Sequence, residues 1–155
     1  MLAMLVLTLI AVGAAIAAWL RPLPHTNPPS TPPPPAFTDQ QIATAKANVC
    51  DAYKIVNQSI VWNTHRRNPI PGNEIGELAR GTTGDLALYE GGDYLLDRLA
   101  AEPATPPELA KPVKSAGDTL KKFGIIALAG EPPAIREPLQ RAADADLDII
   151  DGLCK

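Results

Sequence analysis

The two cysteines of this 155-residue chain, Cys50 and Cys154, have the clearest potential chemistry, because two thiols can be oxidised to a disulfide. They are not in a C-x-x-C arrangement, so the sequence does not indicate a thioredoxin-type redox activity. An even cysteine count beside an apolar, export-type segment favours a structural disulfide over two free, buried thiols in a cytosolic bundle. We therefore predict that Cys50 pairs with Cys154 outside the cytoplasm.

Other side chains that could do chemistry are few and poorly arranged. The two histidines, His25 and His65, cannot complete a zinc site with two paired cysteines. The acidic run over residues 144–151 resembles a calcium loop. Its sixth and twelfth positions, however, are Ile149 and Lys155, where glycine and glutamate are needed. The sequence thus predicts no catalytic residue, no metal site and no cofactor, and we expect a protein that is not an enzyme.

The overall composition averages three different segments. A net charge of −3 and a pI near 5.3 argue against nucleic-acid binding, which needs a basic surface. The first 20 residues carry no charge, and eight of the 17 prolines lie between Pro22 and Pro35. We therefore predict an anchor over residues 1–20, a proline-rich spacer over 21–37 and a helical domain over 38–155.

Residues 1–20 have the length and composition of a transmembrane helix. A helix of 20 residues is about 30 Å long, the thickness of a bilayer's hydrocarbon core, and Trp19 suits the headgroup boundary. The alternative is a cleaved signal peptide, with residues 15–17 as an A-x-A pattern before the cut. We favour an uncleaved anchor in the lipid bilayer, because the run is long for a signal peptide and lacks a basic start. The missing basic start also fits a start of translation upstream of Met1.

The spacer should adopt an extended polyproline II conformation that reaches up to about 50 Å. Pro32–Pro35 matches a P-x-x-P ligand, but a plain spacer is favoured because such matches are common in proline-rich runs. Arg21 by itself favours a cytoplasmic location for the residues after it, and the predicted disulfide overrides this preference. We expect a single-pass protein of the cell membrane with an extracytoplasmic C-terminal domain.

The remaining residues show helical periodicity throughout. Residues 38–41 can form the capping box of a first helix, which should end near His65–Asn68, before two prolines. A second helix is expected from about Asn73 to Ala101. Because glycine has low helix propensity, this helix should be bent or loosened around Gly81–Gly84 or Gly91–Gly92.

Two more helices complete the domain. Thr105 should cap the third, with Pro106 at its first position and Glu108 at its third, and Gly130 should end it. The fourth should open at residues 131–133 and run to about Leu153. Four helices with short connections predict an all-α, up-and-down four-helix bundle, which would bring Cys50 and Cys154 together.

Apolar residues keep a helical spacing on the second helix and form one face of the fourth. On the second helix they are Ile75, Leu78, Ala79, Leu86, Tyr89, Leu95, Leu96 and Leu99, and on the fourth they are Ile135, Leu139, Ala142 or Ala143, Leu147, Ile150 and Leu153. The candidate interaction surface is Trp62 with the basic cluster His65, Arg66 and Arg67. For Trp62 we favour the interpretation that it completes the core under the proline turn, and for the cluster that it complements the helix dipole.

Several short phrases resemble mycobacterial alanine- and proline-rich membrane proteins. They are residues 19–24 after the apolar run, residues 37–43 leading to Cys50, residues 94–96 with 104–106, and residues 153–155. The resemblance implies a single-pass, exported helical domain in an actinobacterial cell envelope, and it implies no catalytic residue. That group often has a proline-rich cytoplasmic stretch before its membrane helix, which also fits a start upstream of Met1.

From the sequence we expect a membrane-anchored, extracytoplasmic helical interaction or accessory protein that binds an envelope protein. The alternative is a bundle that binds a small apolar or lipid-like ligand between helices loosened by glycine.

Overall fold

The structure is a computed structural model that describes residues 36–68 and 70–155. The predicted anchor over residues 1–20 and the spacer up to Pro35 lie outside the described residues. The described chain forms four helices: α1 (Asp39–His65), α2 (Glu74–Ala101), α3 (Pro107–Leu128) and α4 (Pro133–Leu153). None of these four is both long and apolar enough to span a bilayer. The all-helical four-helix bundle predicted from the sequence is confirmed.

Local sequence explains where α1 begins and where α3 ends. The Gln41 amide donates to the Thr38 hydroxyl over 3.3 Å, and the Thr38 amide donates back to the Gln41 side chain over 2.8 Å. At the end of α3, Gly130 takes a φ of +75°, and the Gly130 and Glu131 amides bond back to the last turn. This is the Schellman arrangement, in which a glycine satisfies carbonyls that the helix leaves free. The predicted capping box and the predicted stop at Gly130 are confirmed.

The start of α3 differs from the prediction. Pro106 occupies the N-cap position and Pro107 is the first helical residue, so Thr105 does not cap the helix. The Thr105 hydroxyl donates instead to the Glu102 carbonyl over 2.7 Å. Two successive prolines can fix the entry to a helix by their restricted φ alone, which leaves Thr105 free to close the preceding turn.

Cross-helix contacts show that neighbouring helices run antiparallel. Asn48 of α1 donates to Glu102, just after α2, over 2.6 Å, whereas Gly84 of α2 lies against residues 63–64 of α1. On the other side of α2, Lys121 of α3 bonds to Asp93 over 2.5 Å. Consecutive helices pack side by side, and α4 meets α1 over a much shorter stretch than it meets α3.

The glycines in the middle of the bundle allow α2 and α3 to approach each other closely. A Cβ placed on Gly92 would lie 2.6 Å from the Gly117 carbonyl oxygen, and one on Gly124 would lie 2.6 Å from the Tyr89 amide nitrogen. Both distances are too short for any side chain. The expected loosening around Gly81–Gly84 or Gly91–Gly92 is not seen, because α2 is one continuous helix. Gly92 is buried against the backbone of α3, and Gly91 is buried against the Val56 side chain of α1.

The two ends of the bundle are packed differently. We call the end that holds the start of α1, the α2–α3 connection and the end of α4 the closed end. The opposite end, where α1 and α3 finish and α2 and α4 begin, is the open end. The largest fully buried side chains, which lie towards the closed end or mid-bundle, are Val49, Leu95, Leu109, Val113, Leu120 and Ile150.

Candidate binding surface and cleft at the open end

The cysteine pair lies at the closed end. Cys50 and Cys154 are bonded in the structure, with their Cα atoms 5.4 Å apart and a sequence separation of 104. Nearby, the Tyr53 hydroxyl donates to the Leu147 carbonyl over 3.2 Å. Burial raises the pKa of Tyr53, and the negative charges of Asp151 and Asp148 raise it further. These contacts hold the second half of α4 against α1, as the predicted pairing requires.

The structure contradicts the prediction that Trp62 is part of the core. The Trp62 side chain is 65% exposed, and the Arg66 guanidinium carbon lies 5.8 Å from the centre of its ring. Such a cation–π pair keeps an indole ordered on the surface without burying it. The reason for the error is that Trp62 lies on the side of α1 opposite the stripe of buried residues that includes Val49, Tyr53 and Val56, so it faces away from the bundle.

The other predicted surface residues lie beside Trp62 at the end of α1. His65 Nδ1 is 3.1 Å from the Val61 carbonyl oxygen and 3.2 Å from the Thr64 hydroxyl, so this nitrogen has local partners. Arg66 and Arg67 line a shallow depression against the first turns of α2. The structure thus brings the four candidate residues together on one exposed helix end.

Apolar exposure at the open end extends beyond the residues that the sequence singled out. Ile75 and Leu78 at the start of α2 are 78% and 71% exposed, and Ile135 at the start of α4 is also exposed. Ile75, Leu78 and Leu86 belong to the apolar residues that keep a helical spacing on α2. With about 3.6 residues per turn, however, Ile75 and Leu86 fall on the side of α2 opposite its buried residues, such as Leu88 and Leu95. Helical spacing thus predicted the helix but not which of its apolar side chains are covered.

A cleft of about 450 Å³ opens between the four helices at this end. Its lining comes from the second half of α1, the first half of α2, Phe123 of α3 and the face of α4 from Arg136 to Leu147. On α4, the lining residues Arg136, Gln140 and Asp144 are spaced four apart and so share one helix face. The sequence analysis missed this cleft, because its lining residues come from four separate helices and carry no motif.

Two charged groups in the cleft are unusual. Burial raises the pKa of Asp85, and the positive charge of Arg136 opposes that rise. Arg136 Nε is itself buried and has no hydrogen-bond partner among the described residues. Within the same residues, no group of three or more histidine, cysteine and acidic side chains could hold a metal ion.

The fold and the site together define an all-helical bundle with a disulfide-bonded end and an open, partly apolar end. Comparisons with protein-family models, with curated proteins and with solved structures find no match to this chain.

Proposed function

We propose that the protein is a membrane-anchored, extracytoplasmic interaction protein of the cell envelope whose open end binds another protein. The observation that supports this proposal is where the exposed apolar side chains lie. Of the twelve large hydrophobic residues that are exposed in the described chain, eight belong to the open end. They are Val61, Trp62, Ile70, Ile75, Leu78, Ile125, Leu128 and Ile135.

The residue types at this end are those that favour a protein partner. Tryptophan and arginine are enriched among residues that dominate binding energy at interfaces, and Trp62 and Arg66 are already stacked there. Exposed aliphatic residues such as Ile75 and Leu78 would gain about 25 cal/mol for each Å² that a partner covers. Concentrated apolar exposure of this kind commonly marks an interaction site.

The location is inferred from the sequence of residues 1–37 and from the cysteine pair. An apolar anchor followed by a semi-rigid spacer would hold the bundle away from the bilayer by up to about 50 Å. A bonded cysteine pair fits an oxidising compartment outside the cytoplasm.

The alternative of an apolar or lipid-like ligand has less support. The cleft has a volume in the range of small-molecule sites, but Arg80, Asp85, Arg136 and Asp144 contribute to its lining. A hydrocarbon chain placed there would leave Asp85 and Arg136, which have no ion-pair partner among the described residues, without water as well, which is costly. The geometry therefore supports the open-end surface more strongly than an apolar ligand.

Site-specific photo-crosslinking of the full chain in its host cells tests the proposal. A photoreactive phenylalanine analogue at Ile75 or Trp62 should give one discrete adduct with another protein. Ile149, which is 53% exposed on the part of α4 near the closed end, provides the matched control position. An adduct that forms at Ile75 but not at Ile149 supports the proposal. Adducts from Ile149 alone, or from neither open-end position, would overturn it.

A further inference from the structure

The cleft at the open end holds two opposite charges, Asp85 and Arg136, that form no ion pair with each other. Neither Asp85 nor Arg136 takes part in an ion pair within 4.0 Å among the described residues. The Asp85 carboxylate likewise accepts no hydrogen bond in this part of the chain, and the only influences on its pKa are burial and the charge of Arg136. Each group is thus partly removed from water without gaining a protein partner.

Such an arrangement is unfavourable unless something else satisfies it. A buried guanidinium N–H without an acceptor loses the solvation that it had in water, and a desolvated carboxylate does the same. Arg80, the other arginine in the cleft, differs because its Nε donates to Glu77 over 3.1 Å. The Arg136 guanidinium, which lines the cleft and makes no hydrogen bond or ion pair among the described residues, is therefore a donor group available for an incoming acceptor. Asp85 is the acceptor available for an incoming donor.

The rest of the lining adds an apolar floor. Leu88 is buried beneath the cleft, and Ile60, Phe123 and Leu147 are half-buried around it. An aliphatic side chain of a ligand placed on this floor would be removed from water. The polar groups of the same ligand would lie near Asn57 and Gln140 of the lining. A volume of about 450 Å³ suits a ligand no larger than a short peptide.

We propose that the cleft binds a small zwitterion with an aliphatic side chain, such as an amino acid or a dipeptide. Its carboxylate accepts from the Arg136 guanidinium, its ammonium group donates to Asp85, and its side chain covers Leu88 and Phe123. One ligand thus satisfies both unpaired charges and buries the apolar floor, which neither a simple anion nor a hydrocarbon chain would do. This proposal goes beyond the open-end protein interaction, because Trp62 and Ile75 are not part of the cleft lining.

The test uses the full chain in detergent micelles and four probes in calorimetric titrations. The probes are leucine, alanyl-leucine, its N-acetyl derivative and its C-terminal amide. We expect saturable binding of leucine, of alanyl-leucine or of both. For alanyl-leucine, blocking either end should weaken binding by about tenfold or more, because each block removes one charge-assisted hydrogen bond. If leucine binds and the dipeptide does not, the ligand is a free amino acid, and the two variants below are then compared on leucine alone.

Two variants assign the contacts. Asp85→Asn should lose the distinction between the free and N-acetyl dipeptides, and Arg136→Gln the distinction between the free peptide and its amide. For leucine alone, both variants should weaken binding by about tenfold or more. The matched controls are Asp97→Asn on α2 and Arg141→Gln on α4, which leave the cleft lining unchanged. Circular dichroism checks that each variant is folded.

The proposal is overturned if neither leucine nor the free dipeptide binds, or if folded Asp85→Asn and Arg136→Gln variants bind them as the wild type does. It is also overturned if blocking either end leaves dipeptide binding unchanged. Crosslinking at Ile75 reports separately on the protein partner, so one proposal can fail without the other.

Discussion

The closed and open ends of this bundle are built from the same four helices and differ in what covers them. At the closed end, the cysteine bond and the Tyr53–Leu147 hydrogen bond hold α4 against α1, and a continuous core lies inward of them. At the open end α4 has moved away from α1, which leaves a cleft and exposed apolar side chains. The difference indicates that stability is concentrated at one end and that the other end is left free to bind.

The largest expected effect is on the closed end. Replacing both Cys50 and Cys154 with alanine should lower the free energy of unfolding by about 4 to 5 kcal/mol, because the bond closes a loop of about 100 residues in the unfolded chain. Urea denaturation measures the loss. Reduction of the wild type provides the control and should produce a similar loss without changing a side chain. A loss below about 1 kcal/mol on reduction, or free thiols in the unreduced, unfolded protein, would contradict the account.

Alanine substitutions at two leucines of α2 compare how much each end contributes to the free energy of unfolding. Leu95 is completely buried, and its replacement by alanine should destabilise the protein by about 2 to 5 kcal/mol through lost burial and a cavity. Leu78, which is 71% exposed near the start of α2, is the matched control, and its replacement should change stability by no more than about 0.5 kcal/mol. Thermal and urea unfolding report both values. Equal losses would mean that Leu78 is covered in solution and that the open end is packed after all.

Alanine substitutions at two glycines of α2 compare the effect on stability of a methyl group added at a backbone contact with one added in open space. Gly92→Ala should cost about 1 to 3 kcal/mol, because the new methyl group would meet the backbone of α3. Gly81→Ala has nothing within 4 Å of the added Cβ, so better helix propensity should stabilise the protein by about 0.5 to 1 kcal/mol. Denaturant unfolding of the two variants should therefore give opposite signs. Destabilisation by both would contradict the close α2–α3 contact as the reason for Gly92.

The smallest effect concerns the pH dependence of stability. Burial raises the pKa of Asp85 above its unfolded value, so the folded state binds more protons and stability falls as pH rises through that window. Asp85→Asn removes this dependence and should gain stability relative to the wild type between acid and neutral pH, within about 0.5 kcal/mol. Unfolding free energies measured across this pH range test the sign. A relative loss for the variant at neutral pH would show that a protein group stabilises the Asp85 carboxylate.

The features that the sequence predicted correctly depend on residues a few positions apart or on the up-and-down order of the helices. The capping box at Thr38 and the glycine stop at Gly130 involve residues a few positions apart, and bundle topology alone brings Cys50 near Cys154. The sequence could not show whether a neighbouring helix covers an apolar stripe. Leu78 and Leu95 are both leucines of α2, yet only Leu95 has a neighbour over it.

The glycines and the cleft escaped prediction for a related reason. Low helix propensity made Gly91 and Gly92 look like weak points, whereas the backbone of α3 packed on Gly92 requires the absence of a side chain there. The unpaired charges of Asp85 and Arg136 become visible only when four helices are placed around one cleft. Both features are set by distances between helices, which periodicity along a single helix does not determine.

Native-state hydrogen exchange along α1 tests most directly whether the two ends differ as proposed. The amides of residues 49–56 lie against the closed-end core, and those of residues 60–65 lie beside the cleft. We predict that the first group exchanges only by global unfolding, while the second exchanges through local opening with a clearly smaller free energy. Equal opening free energies along the whole of α1 would contradict the division of the bundle into a stable closed end and an open binding end.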